Sequence, residues 1–182
     1  MTRSDAWAMV TEFTKSPMLL RHMLSVEAAM RFYARKFGED EERYAVVGLL
    51  HDFDFEAYPT EHPHSGLRIM RERGVPEDIA QDCYSHGETG LPRDTNIRKT
   101  IKAVDELSGF VIACALVKPD RSLGAVEPAG VRKKMKDKAF ARAVHREELT
   151  GGAELLGVPF DEHVENVRDS LKPIASEIGL NP

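Results

Sequence analysis

Apolar residues recur at intervals of three and four over long stretches of this chain, and no stretch shows the alternation typical of a strand. The clearest case is the stretch 17–36, whose regularly spaced apolar residues are Leu19, Met23, Val26, Met30 and Tyr33. The stretch 96–117 has the same kind of spacing. Because an α-helix turns once every 3.6 residues, this spacing places the apolar side chains on one face. The sequence therefore predicts an all-α protein.

Capping and helix-breaking residues set the boundaries of the predicted helices. Ser16 followed by Pro17 is typical of a helix start, and Gly38 is typical of a helix end. Further helices are predicted at 41–51, 63–73, 76–85, 147–156 and 161–178. We expect one domain over 1–182, built as a bundle of about seven to nine helices.

The composition narrows the class of protein further. At 182 residues, the chain is long enough for one domain with a substantial core. Its net charge of -5 gives no reason to expect binding to a nucleic-acid polymer. The longest apolar run, 110–117, is too short to cross a membrane. Because Cys83 and Cys114 offer no disulfide framework, we expect a cytoplasmic protein, and nothing in the sequence indicates its oligomeric state.

Several polar residues interrupt otherwise apolar helical faces, namely His22, His51, Asp52, His86 and Asp105. A buried carboxylate is unfavourable unless it is paired or binds a metal, and imidazole is a good ligand for first-row metals. Convergence on one or two cations is therefore one interpretation. Taken singly, His22 and His86 also fit hydrogen-bonded core histidines. Asp105 fits an ion pair with Lys102, and Asp52 fits a cap, so the residues alone leave both interpretations open.

The order of these residues resembles the signature of a known family. The resemblance rests on three elements: His22, the pair His51 and Asp52 within GLLHDFD, and Asp105 within AVDEL. Together they are similar to the H…HD…D pattern of the HD-domain superfamily, whose members are helical, metal-dependent phosphohydrolases. The resemblance implies that these four residues hold a first metal ion. It covers about 18–120, which is then the metal-binding core, with a C-terminal helical extension over 121–182.

Two more histidines resemble ligands of the HD proteins that carry two metals. His62 opens HPHSG, which is similar to their HPxxG element, and His86 lies in YSHGE, where they place another ligand. The resemblance implies that Asp52 bridges two ions and that His62 and His86 complete the second site. His64 is the alternative ligand, although the spacing of proline and glycine favours His62. The family thus implies one or two divalent transition-metal ions, with Fe, Mn, Zn and Co all compatible.

The resemblance also implies hydrolysis of a small phosphorylated substrate. His51 and Asp52 are the expected catalytic residues, because they hold the metal and Asp52 orients the attacking hydroxide. The segment 131–146 carries seven basic residues against one acidic residue, and such a cluster attracts anions. If this segment is helical, Lys134 and Lys138 share a face, and these two are predicted to bind the phosphate. A solvated basic surface is the alternative.

Two other functions fit the same pattern of residues. Some HD proteins are mixed-valent diiron oxygenases, and a third class would be a metal-binding regulatory module without catalysis. The intact ligand set argues against a decayed site.

Residues near the motif but outside it have simpler expectations. Asp54 and Glu56 either support the site or are solvated acids. Cys83 is expected to be a buried apolar residue. His145 and His163 are expected at the surface. Trp7 is expected to pack the N-terminal helix onto the core.

Overall fold

Nine α-helices make up the regular structure, and the computed structural model describes all residues 1–182. The helices are α1 (Arg3–Phe13), α2 (Pro17–Phe37), α3 (Glu41–Leu50), α4 (His64–Glu72), α5 (Glu77–Tyr84), α6 (Asn96–Leu116), α7 (Pro128–Met135), α8 (Arg146–Leu156) and α9 (Phe160–Leu171). The single β-type pairing is an isolated parallel bridge between Ser122 and Asn181. The prediction of an all-α protein is confirmed. None of the helices has both the length and the apolar character that crossing a membrane requires.

The helices that precede the HD pair begin and end where the sequence predicts. Helix α2 starts at Pro17, where a missing N–H costs no hydrogen bond. It ends before Gly38, whose φ of 68° is a conformation that favours glycine. Helix α3 is capped by Asp40, whose carboxylate accepts two backbone N–H groups of the first turn.

The C-terminal part differs from the prediction in one helix and in the basic segment. The helix predicted over 161–178 ends at Leu171, because Pro173 has no N–H with which to continue the helical hydrogen bonds. The chain continues there as a short 3-10 turn, Lys172–Ile174. The basic segment 131–146 is also not one helix, since α7 ends at Met135 and α8 begins at Arg146.

Glycines allow two pairs of helices to approach closely. A Cβ atom on Gly48 of α3 would lie 2.9 Å from the Cα of Glu27 on α2. A Cβ atom on Gly152 of α8 would lie 2.8 Å from the Cα of Ala103 on α6. Both distances are too short for real side chains, because protein interiors are close-packed and yield little. Glycine at these positions therefore sets how α2 lies against α3 and how α8 lies against α6.

The prediction that His163 lies at the surface is wrong. His163 lies on α9 and is completely buried against α2 and α6. The Tyr33 hydroxyl donates to its Nδ1 at 2.6 Å, and its Nε2–H donates to the carbonyl of Ala103 at 3.0 Å. Burial lowers the pKa of His163 to about 4. His145 is exposed and Trp7 is half-buried against the core, as expected.

Candidate metal centre

Helices α2 and α6 and the residues that follow α3 place four possible metal-donor atoms close together. Nε2 of His22 on α2 lies 3.1 Å from Oδ1 of Asp105 on α6 and 3.3 Å from Nε2 of His51. His51 and Asp52 directly follow α3. Oδ2 of Asp52 lies 3.7 Å from Nε2 of His22 and 3.5 Å from Nε2 of His51. We call these four residues the first donor group.

The spacing of the first donor group fits coordination of one cation. Four ligands placed tetrahedrally at about 2.1 Å from an ion are roughly 3.4 Å from one another. The donor atoms given above are separated by 3.1 to 3.7 Å. A single divalent ion therefore fits between these two imidazoles and two carboxylates.

The second oxygen of Asp52 faces another set of histidines. Its Oδ1 lies 3.2 Å from Nε2 of His62 and 3.3 Å from Nε2 of His86. The two Nε2 atoms are 3.0 Å apart. We call Asp52, His62 and His86 the second donor group. Because Asp52 presents one oxygen to each group, its carboxylate has the geometry of a bridge between two ions.

Backbone carbonyls orient two of the imidazoles. Nδ1–H of His51 donates to the carbonyl of Gly48 at 2.8 Å, and Nδ1–H of His86 donates to the carbonyl of Cys83 at 2.6 Å. A carbonyl oxygen only accepts, so Nδ1 must carry the proton. Nε2 is then left to present its lone pair to the donor group, as in metal-binding histidines whose other nitrogen is held.

Asp54 orients the third imidazole. Nδ1–H of His62 donates to Oδ1 of Asp54 at 2.9 Å, and the Ser65 hydroxyl donates to Oδ2. Asp54 is completely buried and is therefore a supporting residue, not a solvated acid. A Cβ atom on Gly66 would lie 2.8 Å from Asp54, so the small residue is needed there. Ser65 was not predicted to take part in the site, because its only signal in the sequence is a hydroxyl inside HPHSG.

The pKa values of His51 and His62 and of two aspartates shift toward the charged forms. Burial alone would lower the pKa of His51, but the carboxylates of Asp52 and Asp105 raise it to about 9. Burial also opposes charge on His62, yet Asp52 and Asp54 raise its pKa to about 9. Despite their own burial, Asp52 and Asp105 have pKa values below the usual range because histidines surround them. A divalent ion in place of the imidazole protons would satisfy the same carboxylates.

Two nearby candidates lie outside both donor groups. His64 is exposed, and the Tyr84 hydroxyl donates to its Nδ1 at 2.7 Å. Cys83 is completely buried, with its Sγ 3.7 Å from the carbonyl of Val47, and burial raises the pKa of its thiol. Of the two histidines in HPHSG, His62 is therefore the one that joins the donor atoms.

The two predicted phosphate-binding lysines lie in different elements, Lys134 in α7 and Lys138 in the turn that follows it. Nζ of Lys134 lies 4.5 Å from the ring centre of Phe140, beside a cleft of about 420 Å³ that Cys114 also lines. Cys114 follows Asp105 by nine residues, which puts it on the opposite face of α6 and roughly 14 Å along the helix. Lys138 is exposed in the turn after α7, so the predicted shared helical face is wrong. Substrate binding by either lysine stays a prediction.

Comparisons with known proteins identify the same region. Residues 19–109 match the HD domain family. Ribonuclease Y of Oleidesulfovibrio alaskensis is 29% identical over 102 residues, and Ribonuclease Y from two strains of Nitratidesulfovibrio vulgaris is 30% identical over 102 residues. Each match spans 54% of this chain but only 19% of the relative's length. No solved structure matches the chain.

The family match and the geometry agree on where the site lies. All residues of both donor groups fall within the matched residues 19–109. The match covers half of the chain, and the fold is the all-α bundle that the resemblance implied. The chain also contains a His/Asp cluster able to hold a divalent metal. This protein therefore belongs to the HD domain family, whose members are mostly metal-dependent hydrolases.

Proposed function

We propose that the protein is a metal-dependent phosphohydrolase with two metal ions, and the position of Asp52 carries this proposal. One Asp52 oxygen faces His22 and His51, while the other faces His62 and His86. Two ions that share a carboxylate are suited to stabilising both the attacking and the leaving oxygen of a phosphoryl transfer. With an ion in the first donor group alone, His62 and His86 would hold no metal and would face only the second oxygen of Asp52.

The protein's own contribution is to hold its ligands in place and in the correct tautomer. A bound divalent ion supplies activation of water and neutralisation of charge on the phosphoryl group. His51 is held by the Gly48 carbonyl and His62 by Asp54, so neither ring must reorganise during the reaction. We propose His51 and Asp52 as the catalytic pair, with Asp52 also orienting the attacking water.

The donor atoms favour a transition metal over Mg²⁺ or Ca²⁺. The two groups offer four imidazole nitrogens and the carboxylates of Asp52 and Asp105. Imidazole is a good ligand for Zn, Fe and neighbouring metals, whereas Mg²⁺ and Ca²⁺ prefer oxygen alone. We therefore propose Fe, Mn, Zn or Co as the resident ion.

The proposed substrate is a phosphoester or phosphoanhydride of a small metabolite or nucleotide. The relatives named Ribonuclease Y favour a phosphodiester bond, although each match spans 19% of their length. We also propose that the basic segment containing Lys134 and Lys138 attracts the anionic substrate. Lys134→Ala and Lys138→Ala should then lower kcat/KM more at low salt than at high salt, with metal content unchanged.

Metal analysis and hydrolysis assays on the same preparations test the proposal. Wild-type protein from metal-replete expression should contain a transition metal and hydrolyse a member of a panel of phosphorylated metabolites. His51→Ala and Asp52→Ala should lose both metal and activity. His145→Ala, which removes an exposed histidine, should lose neither. Full metal in both site variants, or none in the wild type, would falsify the assignment.

Oxygen consumption separates the alternatives. A mixed-valent diiron oxygenase would need two irons and would take up oxygen with its substrate. The proposed hydrolase should work anaerobically and with a redox-inert ion such as Zn²⁺. A regulatory module would bind metal but would turn over no member of the panel.

A further inference from the structure

One exposed aromatic side chain stands beside the second donor group. The exposed large apolar residues are Met1, Met18, Phe55, Leu116 and Val117, so Phe55 is the one aromatic among them. Phe55 is 41% exposed, and its ring centre lies 5.4 Å from that of His62, with the ring planes at 83°. Because this contact is edge to face, it leaves ring surface free for a ligand.

The backbone around Phe55 is held on both sides. Its N–H donates to the carbonyl of Asp52 at 3.0 Å, so its position is tied to the bridging carboxylate residue. The preceding residue, Asp54, is buried and bonded to His62. The following residue, Glu56, accepts the backbone N–H groups of Lys15 and Ser16, both at 2.9 Å. Phe55 is therefore exposed on a fixed turn, not on a loose loop.

A second exposed apolar side chain lies near the first donor group. Met18 is 74% exposed and precedes His22 by four residues, which places both on the same face of α2. Met18 also lies two residues after Ser16, whose N–H is bonded to Glu56. An exposed apolar side chain thus occurs next to the second donor group and another on the helical face that carries His22. Scattered exposed apolar residues are ordinary, so the inference rests on Phe55, whose ring contacts a residue of the second donor group.

We propose that Phe55 stacks against a nucleobase, so that the substrate is a nucleotide-type phosphoester. This inference rests on the proposed phosphohydrolase function, because it places the phosphate at the donor groups and the base on the adjoining ring. Phe55 offers a flat surface without hydrogen-bonding groups, and every nucleobase has a π face that can stack on it. The residue should therefore select for the presence of a base and discriminate weakly between bases.

A matched pair of ligands isolates the contribution of the base. Adenosine 5′-monophosphate and ribose 5-phosphate share the sugar phosphate, so the ratio of their Kd values for the metal-loaded full chain measures the effect of adenine. Stacking one base on an aromatic side chain contributes ~1–3 kcal/mol, so the nucleotide should bind roughly 5- to 150-fold more tightly. Phe55→Ala should abolish this ratio, while Phe55→Tyr should keep it. Leu116→Ala, which removes an exposed apolar residue at the far end of α6, should leave it unchanged.

A fluorescence measurement tests stacking without any turnover. The chain has one tryptophan, Trp7, so Trp7→Phe provides a dark background. In that background, adenosine 5′-monophosphate should saturably quench the tryptophan fluorescence of the Phe55→Trp variant, whereas ribose 5-phosphate should not. Leu116→Trp should respond to neither ligand.

The outcomes separate the two proposals. Equal Kd values for the two ligands, or a ratio that survives in Phe55→Ala, would overturn the stacking role of Phe55. Equal responses of the tryptophans at positions 55 and 116 would do the same. If base-dependent binding and quenching are found but no phosphoester is hydrolysed, the base site stands and the proposed hydrolase function fails.

Discussion

His62 donates its Nδ1–H to the buried carboxylate of Asp54 at 2.9 Å, while its Nε2 lies 3.2 Å from Asp52. The imidazole therefore connects the fully buried carboxylate of Asp54 to the carboxylate of Asp52, which belongs to both donor groups. The Ser65 hydroxyl occupies the other oxygen of Asp54, so the carboxylate cannot turn away from His62. This relationship makes the second donor group depend on a residue that contributes no donor atom to it.

Asp54→Asn should weaken the second site selectively. The amide keeps the shape of Asp54 but removes the charge that supports the imidazole. Replacing such a partner of a metal-bound histidine typically lowers metal affinity about 10- to 100-fold. Chelator competition should show that one of two ions binds more weakly while the other is retained. Glu56→Gln, the same change at a nearby carboxylate outside both groups, is the control, and an equal loss in that variant would refute the specific role of Asp54.

The two donor groups should differ in how histidine replacement changes metal stoichiometry. His86→Ala should remove one ion of two, because the donor atom of His86 belongs to the second group alone. His51→Ala should disturb the first group and with it the shared carboxylate of Asp52. His64→Ala should change neither, because His64 faces Tyr84. Elemental analysis of the metal-saturated proteins measures the stoichiometry. The arrangement is contradicted if the wild type holds one ion per chain, or if His64→Ala loses more metal than His62→Ala.

Metal binding at neutral pH should release protons. The carboxylates of Asp52, Asp105 and Asp54 raise the pKa values of His51 and His62 to about 9, so both rings are protonated at pH 7 without metal. Because a metal ligand must be deprotonated, binding should release about two protons. Apparent affinity should then fall about tenfold per proton for each unit that the pH drops below 9. Calorimetry in buffers of different ionisation enthalpy measures the number, and a value near zero would show that the rings are neutral beforehand.

Helical periodicity predicted the elements that carry the site almost to the residue. The stretches 17–36 and 96–117 became Pro17–Phe37 and Asn96–Leu116. This worked because a long apolar stripe allows only one helical register. The residues predicted as ligands from the family resemblance also lie together in two groups.

The errors arose where a side chain's surroundings depend on distant parts of the chain. His163 was placed at the surface because it lies outside the motif, although it stands four residues before Val167 on one helical face, which is a signal for burial. The bond between Ser65 and Asp54 depends on the path of the turn that joins α3 to α4, which periodicity does not describe. Lys138 was misplaced because an intact basic helix was assumed beyond Met135.

Burial of His163 should make stability depend on pH below neutrality. Its pKa is about 4 in the folded chain, against 6.5 as the ordinary value. Between these values the unfolded chain binds a proton that the folded chain does not, so the free energy of unfolding falls as the pH drops from 6.5 toward 4. The contribution lost is at most about 3 kcal/mol. Denaturant unfolding of wild type and His163→Gln should show a weaker pH dependence in the variant, while exposed His145→Gln should follow the wild type.

Alanine substitution of the adjacent glycines Gly151 and Gly152 in α8 should change the stability of the protein in opposite directions. A Cβ atom on Gly151 would meet nothing within 4 Å, so Gly151→Ala should only reduce the freedom of the unfolded chain and should stabilise the protein by about 0.5–1 kcal/mol.

A Cβ atom on Gly152 would instead lie 2.8 Å from the Cα and 2.9 Å from the carbonyl oxygen of Ala103. Backbone atoms cannot move aside as a flexible side chain can, so α8 must shift away from α6. Overpacking of this kind costs about 1–3 kcal/mol, which outweighs the same gain in helix propensity. Urea unfolding of Gly151→Ala and Gly152→Ala should therefore give midpoints on opposite sides of the wild-type value. Equal midpoints for the two variants would mean that α8 does not lie as close to α6 as the Ala103 contact requires.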